Sequence, residues 1–476
     1  MLHISNQAIA NVLYWIRQKR WLLLTIILGI VLYLLPAPSG MSDLSHPDDA
    51  YHTLIIVVMA LILIISEPVP LPAVAMMILI LQVVFGIAKP NEVASNFMSD
   101  AVFFIMGSLM LAVSIVKQGL DSRLALGIIR LTGNKTWRIA AGFTTVCALL
   151  SSFIGEHTVT AMMMPVGLIL VRSTSSDPKK VAVLASLLLF SIAYGSAMGS
   201  IGTPSGGGRN VIMMGYWSEF GHGTVSYLQW MKHAYPMLLI QIPLAVIILL
   251  MTFRPKQKVL DTAVRKLKVQ VTKGGKMQGK EYLVIAVFLG VFLGWVFLGH
   301  TIGLGIIALI GVFMYLAFGL VDWSDLNRNT NWGVILLFGA AISIGIQIND
   351  TGLAKWIAGG AMDGLHFVAG DSPLLQITVA ILLSAILTNF LSNAAAVAVI
   401  GPIALNMGGD PIIMGFAAAL ASAFAFLTVV ASPTCMIIHS SGLVKRGDFL
   451  KAGGKLFIMS MAVLFLVSYL YWPLLS

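Results

Sequence analysis

Glu156 and His157 stand side by side inside an apolar stretch, Leu150-Ser151-Ser152-Phe153-Ile154-Gly155-Glu156-His157-Thr158, that runs on to Pro165. A carboxyl and an imidazole there can carry a proton, bind a cation or contact a polar solute, since an ionisable group in hydrocarbon persists only when neutralised, paired or bound. A second stretch, Leu387-Thr388-Asn389-Phe390-Leu391-Ser392-Asn393-Ala394-Ala395, reaches Pro402 and repeats the pattern with neutral groups. Leucine, phenylalanine and proline fall in register, and a hydroxyl, Ser151 or Thr388, takes the same place in each. Each stretch is followed by a break, Gly202-Thr203-Pro204-Ser205-Gly206-Gly207-Gly208-Arg209-Asn210 in one half and Val430-Ala431-Ser432-Pro433-Thr434-Cys435 in the other. Unwound backbone offers its N–H and C=O groups to ions and anions, and the restarting helix adds a positive N-terminus. Arg209 adds a planar fork suited to a carboxylate or sulfonate. Paired tips and paired breaks point to a solute site between two halves of one chain, and so to a transporter.

Each group also has a plainer reading. Glu156 and Arg209 can form a fixed ion pair, and whether Glu156 titrates or stays paired is open. His157 can ligate, relay a proton or merely hydrogen-bond a helix end. Gly206–Gly208 can be a turn, although three glycines beside Arg209 also let backbone approach a ligand. Asn393 alone would be an ordinary cap; its register with Glu156 singles it out. Met162–Met164, Met214 and His439 read as packing, as do the thiols Cys147 and Cys435, which lack metal-ligand spacing.

The elements that must position these groups are membrane helices. The 476 residues are 58% hydrophobic and 10% charged, and the mean hydropathy is +0.93. A bilayer core takes about 20 apolar residues per helix. Candidate spans fall at 21–36, 51–66, 70–88, 101–117, 181–203, 226–253, 282–298, 302–320, 332–349, 411–429 and 454–474. Segments 138–171 and 374–405 are each two short apolar pieces meeting at a polar tip, and they read as re-entrant hairpins. The expected fold is an all-α polytopic membrane protein of about 11 transmembrane helices plus two hairpins in an inverted repeat. Its parts are N-terminal helices 1–100, a first repeat 101–253 with its broken helix at 181–215, and a basic loop 254–281. Connecting scaffold helices 282–331 and a second repeat 332–476, with its broken helix at 411–440, complete it. The net charge of +10 gathers at 254–280 and in a few other loops. With two non-crossing hairpins these basic loops all fall on one side, which puts the N-terminus in the cytoplasm and the C-terminus outside. The basic loops lack the aromatic or groove-reading partners of a nucleic-acid site. No Walker loop is present, which argues against primary ATP-driven pumping.

From about Ala101 to the C-terminus the chain resembles the divalent anion–sodium symporter family. The shared order is hairpin, broken helix, basic central loop, Trp332-Gly333 before the second-half helix, second hairpin and second broken helix. That family marks each tip with Ser-Asn-Thr and each break with a Pro-Pro-Asn-like turn. Ser392 and Asn393 match, with Ala394 in the threonine place, and Ala431-Ser432-Pro433-Thr434-Cys435 keeps the first part of the second turn. In the first half Gly155-Glu156-His157 replaces the tip motif, while Gly206 and Asn210 are kept around the added Arg209. The resemblance implies a secondary active transporter of small anionic organic solutes, di- or tricarboxylate-like or sulfonate- or sulfate-like. It implies coupling to Na+, H+ or both, no enzymatic activity, no cofactor, elevator motion, and a homodimer in a bacterial inner membrane. Substrate contacts are expected at Glu156, His157, Gly207, Gly208, Arg209, Asn393, Ala394, Ser432 and Pro433. Ion coupling is expected at Ser151, Gly155, Glu156, Gly206, Thr388, Ser392, Asn393 and Ala431, with sodium at Thr388, Asn393 and Ala431. The altered first tip implies fewer sodium ions than two intact motifs would bind. The alternative is an inorganic-ion or proton antiporter of the same superfamily, using Glu156. A reading of another class is a membrane enzyme with Glu156 and His157 as acid and base.

Overall fold

The computed structural model describes residues 19–475, apart from 39, 121, 122, 124–126, 128, 129, 176, 273–276, 370–372 and 430. The N-terminal residues assigned to the cytoplasm, positions 273–276 of the basic loop and Val430 of the second break thus lie outside the described residues. Among the described residues every regular element is helical, save one isolated β-bridge between Lys135 and Val259. Eight of these helices are long and apolar enough to cross a membrane. All but one fall on predicted spans; the exception, Thr136–Ile154, is the leading arm of the first hairpin.

The contacts divide the chain into two compact units. The first takes residues 1–99 and 332–370. In it Trp332–Asp350 packs against Pro47–Ser66, Leu71–Val84 and Pro90–Phe97. Its Gly339 admits the Phe97 ring and carbonyl at a distance no larger residue allows. Inside this apolar packing Ser343 Oγ donates to Gln82 Oε1 at 3.0 Å, and the buried Gln347 donates through Nε2 to the exposed Glu92 Oε1 at 3.2 Å. Buried polar groups are tolerated there because they satisfy one another.

The second unit, residues 100–331 and 371–476, holds both hairpins and both breaks. Its centre is Pro178–Gly199, whose apolar stretch is 89% buried against 22% for Gly279–Ile302. An apolar helix so uncovered suits lipid contact, whereas a buried one must be small enough for its neighbours to approach. Gly195 meets that need: a Cβ there would lie 2.6 Å from Thr144 O on the leading arm.

Both broken helices start on the same device, unread in the sequence. Asp177 precedes Pro178 and accepts from Lys179 N at 2.9 Å; Asp410 precedes Pro411 and accepts from Ile412 N at 2.8 Å. An acidic N-cap ahead of a proline at the first helical position is a strong helix start. The second broken helix departs from expectation at its other end. Predicted to run to residue 429, it stops at Ala421. The sequence there is apolar and free of glycine and proline, so nothing local predicts a stop. Tertiary bonds hold the backbone there instead: Thr388 Oγ1 donates to Ser422 O at 2.6 Å, and Asn389 donates to Phe424 O and accepts from Leu427 N, each at 3.0 Å.

Candidate functional site

The hairpin tips are built alike. In the first, Ser151 Oγ donates to Ser196 O at 2.7 Å and Ser152 Oγ to Gly199 O at 2.9 Å. In the second, Thr388 Oγ1 donates to Ser422 O at 2.6 Å and Asn389 Nδ2 to Phe424 O at 3.0 Å. Each leading arm thus clips onto the carbonyl end of the broken helix that follows it, adding side-chain donors to the backbone acceptors at that terminus. Ser152 and Asn389 were not singled out in the sequence, although they occupy matching places beside Ser151 and Thr388.

The first arm turns into the second at Gly155, whose φ of 82° and ψ of 146° belong to a region reserved in practice for glycine. The trailing arm Glu156–Thr174 starts there, and Asn393–Leu405 starts after Ser392, whose hydroxyl caps Ala395 N at 3.3 Å. Glu156 and Asn393 therefore open two matching helices, and they meet: Asn393 Nδ2 donates to Glu156 Oε1 at 3.0 Å. The other carboxylate oxygen accepts from Ser200 Oγ at 2.9 Å and stands 3.8 Å from Arg209 Nη1. Arg209 Nη2 donates to Ser200 Oγ. Glu156 and Arg209 are each 2% exposed. Among the described residues, Arg209 Nε and His157 Nδ1 have no hydrogen-bond partner, although His157 Nδ1 lies 3.7 Å from Glu156 Oε1. A buried guanidinium with unspent N–H groups can take an anion.

The break that carries Arg209 is held open by Asn210, whose Nδ2 donates to Ser200 O and Thr203 O, each at 2.8 Å. Gly206 packs so closely on Ser151 O, Ser152 O and Ser200 O that a Cβ would overlap them. Gly207 faces the guanidinium, and Gly208 starts the helix Gly208–Glu219. Ser200 is the bridge between the two charges, and its only sequence signal was a hydroxyl ending the apolar run before Gly202.

In the second half three oxygens converge. Thr388 Oγ1 is 2.6 Å from Ser422 O and 3.0 Å from Asn393 Oδ1, and its single hydroxyl hydrogen must serve both. Oxygen donors at the end of a broken helix, with fewer hydrogens than acceptors, suit a hard cation. Ala431 is placed one step away: its N–H goes to Thr428 Oγ1 at 3.1 Å, and that hydroxyl reaches Asn389 O at 3.4 Å. Ala394 is buried on the trailing arm, while Ser432 caps the helix Pro433–His439, which packs on Glu156–Thr174. Among the described residues no hydrogen bond joins Ala394, Ser432 or Pro433 to the charged corner.

Residues 17–476 match the family described as the sodium:sulfate symporter transmembrane region. The sodium-dependent dicarboxylate transporter SdcS of Staphylococcus saprophyticus is 27% identical, over 99% of this chain and 95% of the relative. The sodium-dependent high-affinity dicarboxylate transporter 3 of Caenorhabditis elegans is 28% identical, over 94% and 88%. Two solved structures share the fold. One is Neisseria gonorrhoeae MtrF, with a TM-score of 0.55 and 14% identity over 79% of this chain and 83% of that one. The other is Alcanivorax borkumensis YdaH, with a TM-score of 0.52 and 12% identity over 79% and 85%.

Proposed function

The chain belongs to the sodium:sulfate symporter family, and from that premise we propose that it is a sodium-coupled secondary transporter of small organic anions, with dicarboxylates as the leading class. The observation that carries the reading is Arg209. It is a buried cation on a helix break, next to both hairpin tips, with N–H groups left over for an incoming carboxylate. Its planar fork holds such a group in two places, and the start of Gly208–Glu219 adds a helix N-terminus to the same corner. The sodium-dependent relatives support the coupling ion, and the oxygens of Thr388, Asn393 and Ser422 support its place. Ala431 belongs to the outer part of that site. The first tip, with a carboxylate and a guanidinium, takes no second sodium in this reading.

Transport then follows from the clips. Each hairpin is fastened to its broken helix, so hairpins and breaks move as one body, in the elevator manner, with the site between them. Net positive loops give an inside N-terminus and an outside C-terminus in a bacterial inner membrane. A homodimer completes the assembly.

Two substitutions test the site in purified protein. Arg209→Lys keeps the charge but loses the fork, and succinate binding should weaken about tenfold or more, the equivalent of roughly 1.4 kcal/mol. Asn393→Ala should raise the sodium concentration for half-maximal succinate binding by about the same factor. Unchanged succinate affinity in a folded Arg209→Lys protein would remove Arg209 from the site. A sodium titration unaltered by Asn393→Ala would do the same for the second tip.

A further inference from the structure

The charged corner holds one cation and one anion, yet they are not spent on each other. Arg209 Nη1 stands 3.8 Å from Glu156 Oε2, outside hydrogen-bond reach. Ser200 lies between, accepting from the guanidinium and donating to the carboxylate at 2.9 Å. The other carboxylate oxygen is held by the neutral amide of Asn393 at 3.0 Å. Glu156 is therefore a carboxylate bound by neutral donors from both halves, beside Nη1 of a guanidinium whose Nε has no acceptor among the described residues. A free carboxylate docked in this corner would meet the same groups. This one is tethered.

Resting on the anion-transport reading above, we propose that Glu156 is a resident anion. Its carboxylate stands in for a substrate carboxylate while the carrier is empty, and it gives up Arg209 when a free anion binds. The hold on it is releasable: Ser200 has a second acceptor, Ala197 O at 2.6 Å, so its hydrogen is not orphaned when the carboxylate moves away. His157 Nδ1, 3.7 Å away and without a hydrogen-bond partner among the described residues, offers the displaced carboxylate somewhere to go.

The device has a purpose in a transport cycle. An empty carrier that returns with Arg209 unneutralised must hold a lone cation away from water, which is among the costliest arrangements in a membrane. Glu156 removes that obstacle. The carrier can return empty, and net uptake becomes possible. The same carboxylate competes with substrate, so affinity is sacrificed for turnover.

Glu156→Gln separates these effects, because glutamine keeps the shape and loses the charge. In the purified full chain, succinate should stabilise Glu156→Gln at a concentration on the order of tenfold below that needed for wild type, since the internal competitor is gone. In proteoliposomes, succinate–succinate exchange should persist, while net uptake driven by a sodium gradient should fall by on the order of tenfold. Glu156→Asp keeps the charge and should retain net uptake. Should Glu156→Gln unfold on extraction, recovery of folded protein with succinate present is the expected result, and failure to recover it overturns the proposal. Equal or weaker succinate affinity in Glu156→Gln than in a responsive wild type overturns the resident anion alone. If neither protein responds to succinate or sulfate, the anion-transport reading falls and takes this proposal with it. Net uptake lost equally in Glu156→Asp and Glu156→Gln also overturns it, since charge would then not be the determining property.

Discussion

Gly199→Ala should yield no working transporter. A Cβ at this position overlaps Ala148 O and Ser151 Oγ on the leading arm of the first hairpin. The obstacle is mostly backbone, so no rotamer change relieves it; the arm and the broken helix must separate. Separation stretches the bonds from Ser151 to Ser196 O and from Ser152 to Gly199 O. Overpacking costs about 1–3 kcal/mol and more where backbone is involved. Each interhelical hydrogen bond adds roughly 0.6 kcal/mol in a membrane. A total loss of about 2–4 kcal/mol follows from these two terms together. The measurement is the melting temperature of protein in detergent alongside sodium-driven succinate uptake. Gly454→Ala is the control, because a Cβ there meets nothing within 4 Å among the described residues. It should lie within about 0.5 kcal/mol of wild type. A Gly199→Ala protein that melts with wild type would mean that the arm and helix are not in contact as described.

The second large effect is a recovery. Arg209→Gln leaves Glu156 buried without its counter-charge and should cost about 3–5 kcal/mol, and Glu156→Gln should be destabilising in the same way when no anion is present. Glu156→Gln/Arg209→Gln removes both charges and leaves two amides able to bond to each other, to Ser200 and to Asn393. The double variant should be more stable than either single one, with a coupling of about 2 kcal/mol or more. It should also bind no succinate, which separates stability from function within one experiment. Losses that simply add would show that the 3.8 Å contact is not an energetic pair.

Glu156, Arg209 and Asn393 could be brought together from sequence because register supplied what distance could not. Two stretches with matching leucine, phenylalanine and proline implied that their tips were equivalent, and equivalent tips meet where two halves face each other. The glycine and proline breaks were legible for local reasons, since neither residue continues a helix cheaply. The end of the second broken helix was not legible, because Ala421 is followed by helix-compatible residues and the backbone beyond it is held by Thr388 and Asn389 of the hairpin tip. Ser200 escaped for a similar reason: a serine at a helix end is ordinary until its neighbours are known. Ser432, Pro433 and Ala394 were placed in the site by motif alignment alone, and no hydrogen bond among the described residues joins them to the charged corner. The Asp-Pro starts at Asp177 and Asp410 were readable in principle and simply repeat in both halves.

The clips on the two leading arms are symmetric where the site between them is not. Ser151 and Ser152 do for one half what Thr388 and Asn389 do for the other, with different side chains reaching the same kind of carbonyl. The two halves thus share a fastening without sharing the side chains that make it. The charged corner has no such twin: the place matching Glu156 holds a neutral asparagine, and the second break has no arginine. Its two charges are therefore particular to the first half. Either charge alone would be costly in this buried corner, so each depends on the other or on an external ion that fills the gap between them. The cavity is therefore lopsided by construction: one wall carries fixed charge and the other only neutral oxygens and amides, so a solute entering it meets a permanent field that points from one half to the other.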